Sequence, residues 1–176
     1  MNPRCRHVVV ETAWGFFGLS GADYRLKYTS LPIADRASAT GLITAFRPDS
    51  RHDTALFKDL QERVKAYFEG SYDDFSDVPT DLTGLSAFAQ RVLSACRKIP
   101  YGQTASYAEL ARLARSPKAA RAAGSVMAAN PMPLIVPCHR IIRSDGQAGD
   151  FAATGGPRFK AKLLALEARV VCAVTR

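Results

Sequence analysis

Cysteine and histidine are scarce in this sequence, and neither is spaced as disulfide or metal sites require. The four cysteines, at positions 5, 96, 138 and 172, include no CxxC pair, and the three histidines form no HxxxH motif. This spacing excludes a disulfide framework and a zinc ribbon, and it predicts no metal site. We therefore expect four free thiols in a reducing compartment.

The sequence also has no long hydrophobic run, no internal repeat and no low-complexity tract. No apolar stretch reaches the roughly 18 residues that a membrane-spanning helix needs. The N-terminal apolar stretch contains the acidic residue Glu11 and is followed by no small-residue cleavage site, unlike a signal peptide. With 47% apolar and 23% charged residues, the chain is expected to be a globular cytoplasmic protein that does not bind membranes.

Positive charge is concentrated in the second half of the chain. Residues 1–82 contain 10 Lys and Arg against 12 Asp and Glu, whereas residues 83–176 contain 14 against 4. The net charge of +10 in the second half predicts a polyanionic partner, nucleic acid first, and simple solubility is the alternative. The sign changes in a Gly-, Asp- and Pro-rich stretch at 69–84, so we place a domain boundary near residue 82.

The first half predicts three strands and a helix. Short apolar segments separated by turn residues indicate strands at 7–12, 15–21 and 24–32. A helix is predicted at 52–68, because apolar side chains recur there at every fourth position: Leu56, Leu60, Val64 and Phe68. The stretch 69–84 follows as a linker or an extended crossing segment.

The second half reads as mostly helical. Apolar spacing predicts a helix at 86–96, which ends in a basic turn followed by proline and glycine. Ser106 and Glu109 form a capping box ahead of the next apolar run. A further alanine-rich helix is predicted, with Ser116 as its N-cap and an end near Asn130. The last two helices indicate a helix-turn-helix that binds DNA, with an ordinary helical hairpin as the alternative.

Cys138 is the candidate nucleophile. It lies at a turn between two β-branched segments, LIV and II, and a buried structural thiol is the alternative interpretation. His139 is its immediate neighbour, so in an extended segment the imidazole would point away, and we expect a water between the thiol and the imidazole. The imidazole needs a carboxylate to orient it, and spacing leaves both Asp145 and Glu167 as candidates.

The motif VPCHRII, preceded by NPMPLI, resembles the active-site signature of the methylated-DNA–protein-cysteine methyltransferases. IPYGQTASYAELA, SPKAARAAGSVMAANP, GDFAATGG and KAKLLALE resemble further family segments in the same order, so that the likeness covers roughly residues 65–168. It implies an α/β domain at 1–82 with a ribonuclease H-like antiparallel sheet. It also implies a mainly helical domain at 83–176, with a helix-turn-helix and a winged-helix-like core.

The function that the resemblance implies is DNA repair by direct reversal. A monomer would bind the minor groove of double-stranded DNA, flip an O6-alkylguanine out of the stack, and transfer its alkyl group irreversibly to Cys138 without a cofactor. Activity on O4-alkylthymine is left open. His139 would take the thiol proton through a water, Glu167 would orient the imidazole, Tyr107 would protonate the purine, and Asn130 would tie the recognition helix to the active-site strand.

The resemblance also implies two sets of contact residues. Arg121 would enter the base stack and fill the space of the extruded nucleotide. The other predicted DNA contacts are Ser116, Lys118, Ala120, Ala122 and Tyr107. The predicted substrate pocket consists of Met127, Pro133, Ile141, Gly149 and Phe151. Taken without the resemblance, Tyr107 and Met127 would be core residues, and Arg121 would be a solvated surface charge.

Some departures from the family pattern and three rival functions accompany this interpretation. SAFAQ replaces a frequent Thr-Pro-Phe-Gln run, Leu93 stands where tryptophan is frequent, and Phe151 replaces a tyrosine of some members. Cys5 and His7 lack the other ligands of a zinc site that some members have.

The three rival functions are those of an alkyltransferase-like protein, a helix-turn-helix regulator and a cysteine hydrolase. The first of these would lack the acceptor cysteine.

Overall fold

The structure is a computed structural model that describes residues 5–149, 151 and 155–174. The chain divides into two compact units, residues 1–81 and 82–176. Residues 152–154 of the predicted GDFAATGG segment, together with Asp150, lie outside the described residues. Within the described part of the chain, no helix is both long and apolar enough to cross a membrane.

The first unit is built on a four-stranded sheet. Its strands are β1 (Arg6–Thr12), β2 (Gly15–Ala22), β3 (Arg25–Ile33) and β4 (Arg51–His52), in the order β3-β2-β1-β4. The three predicted strands form an antiparallel meander, but β4 pairs parallel with β1. The expected antiparallel sheet is thus present in β1 to β3, and β4 makes the sheet mixed, because the connection from β3 passes through a helix and lets the chain return in the same direction as β1.

Two helices accompany the sheet: α1 (Arg36–Phe46) and α2 (Lys58–Phe68). Sequence reasoning missed α1. Asp35 caps the start of this helix, because its side chain accepts the Ser38 N–H at 2.8 Å. The predicted helix at 52–68 begins only at Lys58, because the Asp53 carboxylate accepts the Ala55 N–H and holds the preceding residues in a turn.

Helix α1 packs directly on the sheet. A Cβ built at Gly18 of β2 would lie 2.4 Å from Ile43 Cγ1, so only glycine permits this approach. In the same unit, the stretch 69–84 that follows α2 crosses the edge of the sheet at β3. There the Leu26 N–H donates to the Pro79 carbonyl, and the Leu26 carbonyl accepts the Asp81 N–H. This matches the second of the two interpretations of that stretch, an extended crossing segment.

The second unit is mostly helical. Its helices are α3 (Ala87–Cys96), α4 (Tyr107–Leu113), α5 (Ala120–Ala128) and α6 (Gly156–Val174). Two short strands, β5 (Ala105–Ser106) and β6 (Ile141–Ile142), pair in parallel. A short 3₁₀ helix, Cys138–Arg140, leads into β6. Helix α3 corresponds to the predicted helix at 86–96 and begins after Ser86, whose side chain accepts the Ala89 N–H.

The caps of α4 and α5 differ. The predicted capping box is confirmed: Ser106 Oγ accepts the Glu109 N–H at 3.2 Å, and the Glu109 carboxylate accepts the Ser106 N–H at 2.6 Å. The predicted N-cap at Ser116 is wrong, because α5 begins only at Ala120 after Ala119, without a side-chain cap. Ser116 instead opens a turn, in which its carbonyl accepts the Ala119 N–H.

This difference gives a matched pair of substitutions. Ser106→Ala should lower the free energy of unfolding by about 1 kcal/mol, because the cap hydrogen bond to α4 is lost. Ser116→Ala should change it by less than about 0.5 kcal/mol, since no helix cap is removed. Urea unfolding of both variants followed by circular dichroism measures the two values. Equal losses at the two serines would contradict the assignment of the caps.

Candidate active site

Cys138 lies at the floor of a cavity in the second unit, and its position is set by a tied loop. The Asn130 side chain donates to the Val136 carbonyl at 2.9 Å and accepts the Met132 N–H at 3.0 Å. Both bonds hold the segment between α5 and the 3₁₀ helix, in which Leu134 adopts a left-handed φ of 79°. Cys138 follows this segment and is only 5% exposed.

Behind Cys138 lies a fully buried network centred on Glu167 of α6. Glu167 Oε1 is 2.8 Å from His139 Nε2, and both side chains have no exposed area. The guanidinium of Arg140 donates to the same carboxylate through Nε at 3.0 Å and Nη2 at 2.9 Å. The Gly102 N–H donates to Glu167 Oε2 at 2.9 Å. The carboxylate thus accepts from three residues in two segments of the chain, which fixes its orientation.

Charge and burial set the ionisation of this network. Burial would raise the pKa of Glu167, but hydrogen bonds and charges from His139 and Arg140 dominate and hold it well below its usual range. Burial lowers the pKa of His139, although Glu167 opposes this. At neutral pH, Glu167 is therefore a carboxylate and His139 a neutral imidazole.

These ionisation states fix the tautomer of His139. A carboxylate can only accept a hydrogen bond, so the proton of the neutral imidazole is on His139 Nε2. This N–H donates a hydrogen bond to Glu167. His139 Nδ1 is then an acceptor, and among the described residues it has no hydrogen-bond partner although it is buried. The ring is oriented so that a basic nitrogen remains available for a proton.

The thiol itself is held in its protonated form. Burial raises the pKa of Cys138, while the Asn130 side chain and the charge of Lys160 act in the opposite direction. Cys138 therefore needs a base before it can attack as a thiolate. The described residues show no direct hydrogen bond from its sulfur to His139, although the two residues lie in a 3₁₀ helix and not in the extended segment that the expectation assumed.

The cavity above Cys138 has a volume of about 730 Å³. Of the predicted site residues, Tyr107, Ala120, Arg121, Met127, Gly149 and Phe151 line it together with Cys138. The Tyr107 ring packs over α5, since a Cβ at Gly124 would lie 3.6 Å from its Cδ1. Helix α5 and the loop after β6 thus form facing walls around the sulfur.

Other predicted site residues lie away from this cavity. Pro133 and Ile141 are buried and do not line it, because Ile141 is held in β6 against Ala105 and Pro133 pairs with Val136. Their expected place in the pocket wall is therefore corrected. Lys118 and Ala122 are exposed and Ser116 is half-buried, all outside the cavity lining; whether they contact DNA stays a prediction.

The structure also chooses between the two candidate carboxylates. Asp145 pairs with Arg143 at 3.0 Å on the surface, whereas Glu167 contacts His139.

Sequence reasoning missed two buried cations. Arg140 belongs to the quoted motif but received no role; its Nη1 donates to the Ile99 carbonyl at 2.8 Å. Lys160 is 1% exposed, and its Nζ lies 6.0 Å from the Tyr107 ring centre and 5.8 Å from that of Phe151. A buried lysine or arginine needs a partner, but the sequence gives no local signal of burial for either residue.

Comparisons with known proteins converge on one family. A family model described as 6-O-methylguanine DNA methyltransferase, DNA binding domain, matches residues 87–169. A methylated-DNA–protein-cysteine methyltransferase of Mycolicibacterium paratuberculosis is 37% identical over 160 residues, which cover 91% of this chain and 90% of that protein. A DNA base-flipping protein of Thermus thermophilus is 45% identical over 103 residues, covering 58% of this chain and 68% of that protein.

Comparison with solved structures leads to the same family. The O6-methylguanine methyltransferase of Mycobacterium tuberculosis has a TM-score of 0.74 at 32% identity, covering 94% of this chain and 93% of its own. A Mycobacterium tuberculosis protein crystallised in complex with DNA has a TM-score of 0.77 at 32% identity and covers 94% of each chain. The predicted fold class, an α/β sheet domain followed by a helical domain, is confirmed.

Proposed function

Because the chain belongs to the O6-methylguanine DNA methyltransferase family, we propose that it removes the alkyl group from O6-alkylguanine in double-stranded DNA and keeps it on Cys138. The observation that carries this proposal is a cavity that reaches a thiol, with a buried network behind that thiol: an imidazole with a free basic nitrogen and a carboxylate that orients it. A nucleophile, a base and an orienting acid are the parts that nucleophilic transfer requires.

The transfer starts with proton removal from the buried thiol. A water between Cys138 and His139 Nδ1 carries the proton to the imidazole, whose positive charge the Glu167 carboxylate stabilises. The sulfur attacks the alkyl carbon, the S–C bond forms, and the C–O6 bond breaks with its electron pair going to the purine. Tyr107 donates a proton to the purine and regains one from the His139 imidazolium through solvent. Overall, the thiol proton replaces the alkyl group on guanine, so the reaction needs no cofactor.

The lesion reaches the cavity only if the base leaves the helix. Extrusion of a base from duplex DNA costs a few kcal/mol. Arg121, exposed on α5 at the cavity edge, offsets this cost by occupying the vacated space. The small side chains of Ala120 and Ala122 let α5 approach the minor groove closely. The basic second unit attracts the phosphate backbone, and we assign a supporting role to residues 1–82.

The reaction ends with the protein consumed. A thioether, unlike a thioester, has no easy hydrolytic exit, so each chain repairs one lesion. All groups named above belong to one chain, and we propose that it acts as a monomer.

A second candidate is base flipping without transfer. The Thermus thermophilus relative is named a DNA base-flipping protein, so its similarity supports lesion binding as much as repair. The network behind Cys138 favours transfer, because binding alone has no use for a basic nitrogen held next to a thiol in the chain.

One measurement separates the two candidates. The full-length protein is mixed with a short duplex that contains a single O6-methylguanine, and the intact protein is weighed by mass spectrometry. We expect a mass increase of one methyl group in place of the thiol hydrogen, mapped to Cys138 by peptide analysis. Cys138→Ala should bind the duplex without gaining mass. An unchanged wild-type mass despite tight lesion binding would favour the base-flipping function instead.

A further inference from the structure

The cavity above Cys138 is positively charged at its rim. Among the described residues that line it, both charged side chains are arginines, Arg121 on α5 and Arg143 after β6. The buried ammonium of Lys160 lies behind the aromatic wall of Tyr107 and Phe151. The transfer reaction proposed above gives Arg121 a role in the base stack and leaves Arg143 without one.

Arg143 is held in place by a tight turn. Its N–H donates to the Gln147 carbonyl at 2.8 Å, and its carbonyl accepts the Gly146 N–H at 3.0 Å. Its aliphatic stem lies against Gly149, where a Cβ would be 3.1 Å from Arg143 Cγ and 3.8 Å from Tyr107 Oη. Arg143, Gly149 and Tyr107 therefore form one continuous stretch of the wall.

Arg143 lines the cavity, and its side chain is not buried by its ion pair. Its contact with Asp145 is 3.0 Å long, but the two side chains are 62% and 49% exposed. An ion pair at that exposure is weak and exchanges readily. A guanidinium has five N–H donors, so it can bind a second carboxylate.

We propose that Arg143 makes this cavity select O6-alkyl groups that end in a carboxylate, of which O6-carboxymethylguanine is the simplest. The inference rests on the proposed function and adds a substrate class to it. A carboxylate on the alkyl group accepts charge-assisted hydrogen bonds from the guanidinium. A methyl group has no acceptor and gains nothing from this residue.

The chemistry of the transfer is unchanged for such a lesion. Cys138 Sγ bonds to the methylene carbon, the C–O6 bond breaks toward the purine, and the thiol proton ends on guanine. The carboxylate stays on the transferred group, and Cys138 becomes S-carboxymethylcysteine. Arg143 acts only on binding and orientation of the group that moves.

The test compares two lesions of equal size and different charge. Duplexes carry either O6-carboxymethylguanine or its neutral amide, O6-carbamoylmethylguanine, and single-turnover transfer rates are measured by intact-protein mass. In Arg143→Gln the ratio of the carboxymethyl rate to the carbamoylmethyl rate should fall about 10-fold, since a hydrogen bond to a charged group contributes about 1.5 kcal/mol or more. Arg143→Lys should recover part of the ratio. Arg158→Gln, an exposed arginine of α6 outside the cavity lining, should leave it unchanged.

Two outcomes would overturn the inference. An unchanged ratio in Arg143→Gln would mean that the residue does not recognise the alkyl group. An equal slowing on both lesions would mean that Arg143 contacts the DNA backbone instead. Failure of the proposed function is distinguishable from both, because wild-type protein would then gain no mass from either duplex.

Discussion

Replacing His139 with glutamine is expected to slow alkyl transfer by about 10²–10⁴-fold, the usual contribution of a positioned general base. Glutamine can still donate to Glu167, but its amide cannot take up a proton at neutral pH. Because burial raises the pKa of Cys138, the thiol remains protonated without that base. Single-turnover rates on an O6-methylguanine duplex, followed by intact-protein mass, measure the loss.

The affinity for the lesion duplex should change far less than the rate, because His139 has no exposed surface. His52→Gln removes an exposed histidine of the first unit and serves as the control, with a transfer rate like that of wild type. A His139→Gln rate within about threefold of wild type would contradict the role of His139 as base, because a threefold loss is far smaller than the loss expected for a general base.

Truncation of Glu167 is expected to have the largest effect on stability. Glu167→Ala leaves Arg140 buried and without its carboxylate, and removal of one partner from a buried ion pair costs about 3–5 kcal/mol. It also deprives the Gly102 N–H of its acceptor. Urea unfolding of the alkyl-free protein at pH 7 measures the difference. Asp145→Ala, which removes the exposed carboxylate paired with Arg143, should cost less than about 1 kcal/mol.

The stability that Glu167 contributes has a defined pH dependence. Its pKa is lower in the folded protein than the value of about 4.3 expected in the unfolded chain. The unfolded state therefore binds the proton first, and the contribution is fully present above the unfolded value and declines as the pH falls below it. The stability difference between wild type and Glu167→Ala should not shrink between pH 8 and about 5, where loss of Glu167 also lowers the pKa of His139 further, and should shrink below about pH 4. A difference that shrank between pH 8 and 6 would contradict this assignment.

The features that the sequence predicted correctly are those with local patterns. Strands β1 to β3 follow from alternating apolar segments and turn residues. The capping box of Ser106 and Glu109 follows from a spacing of three. Helix α1 has no such pattern, because Gly41 and two β-branched threonines lower its helix propensity, and its burial against β2 supplies the stability.

The start of α5 and the pairing of β4 also differ from what local sequence patterns suggest, because packing decides them. Ser116 and Pro117 have the residue types of a helix start, yet Arg115 adopts a left-handed φ of 57° and the chain makes a turn before α5 begins. Propensity describes what a segment prefers alone, and packing decides where a helix starts. The parallel pairing of β4 is likewise a contact between distant segments.

The sequence by itself was enough to predict the candidate nucleophile and its neighbouring base, since Cys138 and His139 lie in one recognisable motif. Spacing alone could not choose between Asp145 and Glu167, a choice that only the family resemblance made, and the sequence did not assign Arg140 and Lys160 to the site. Glu167 is 28 residues from His139 along the chain and 2.8 Å from it in space. Only the packing of α6 against the 3₁₀ helix brings them together, because burial of charge is a property of the folded protein and has no signature in the order of residues.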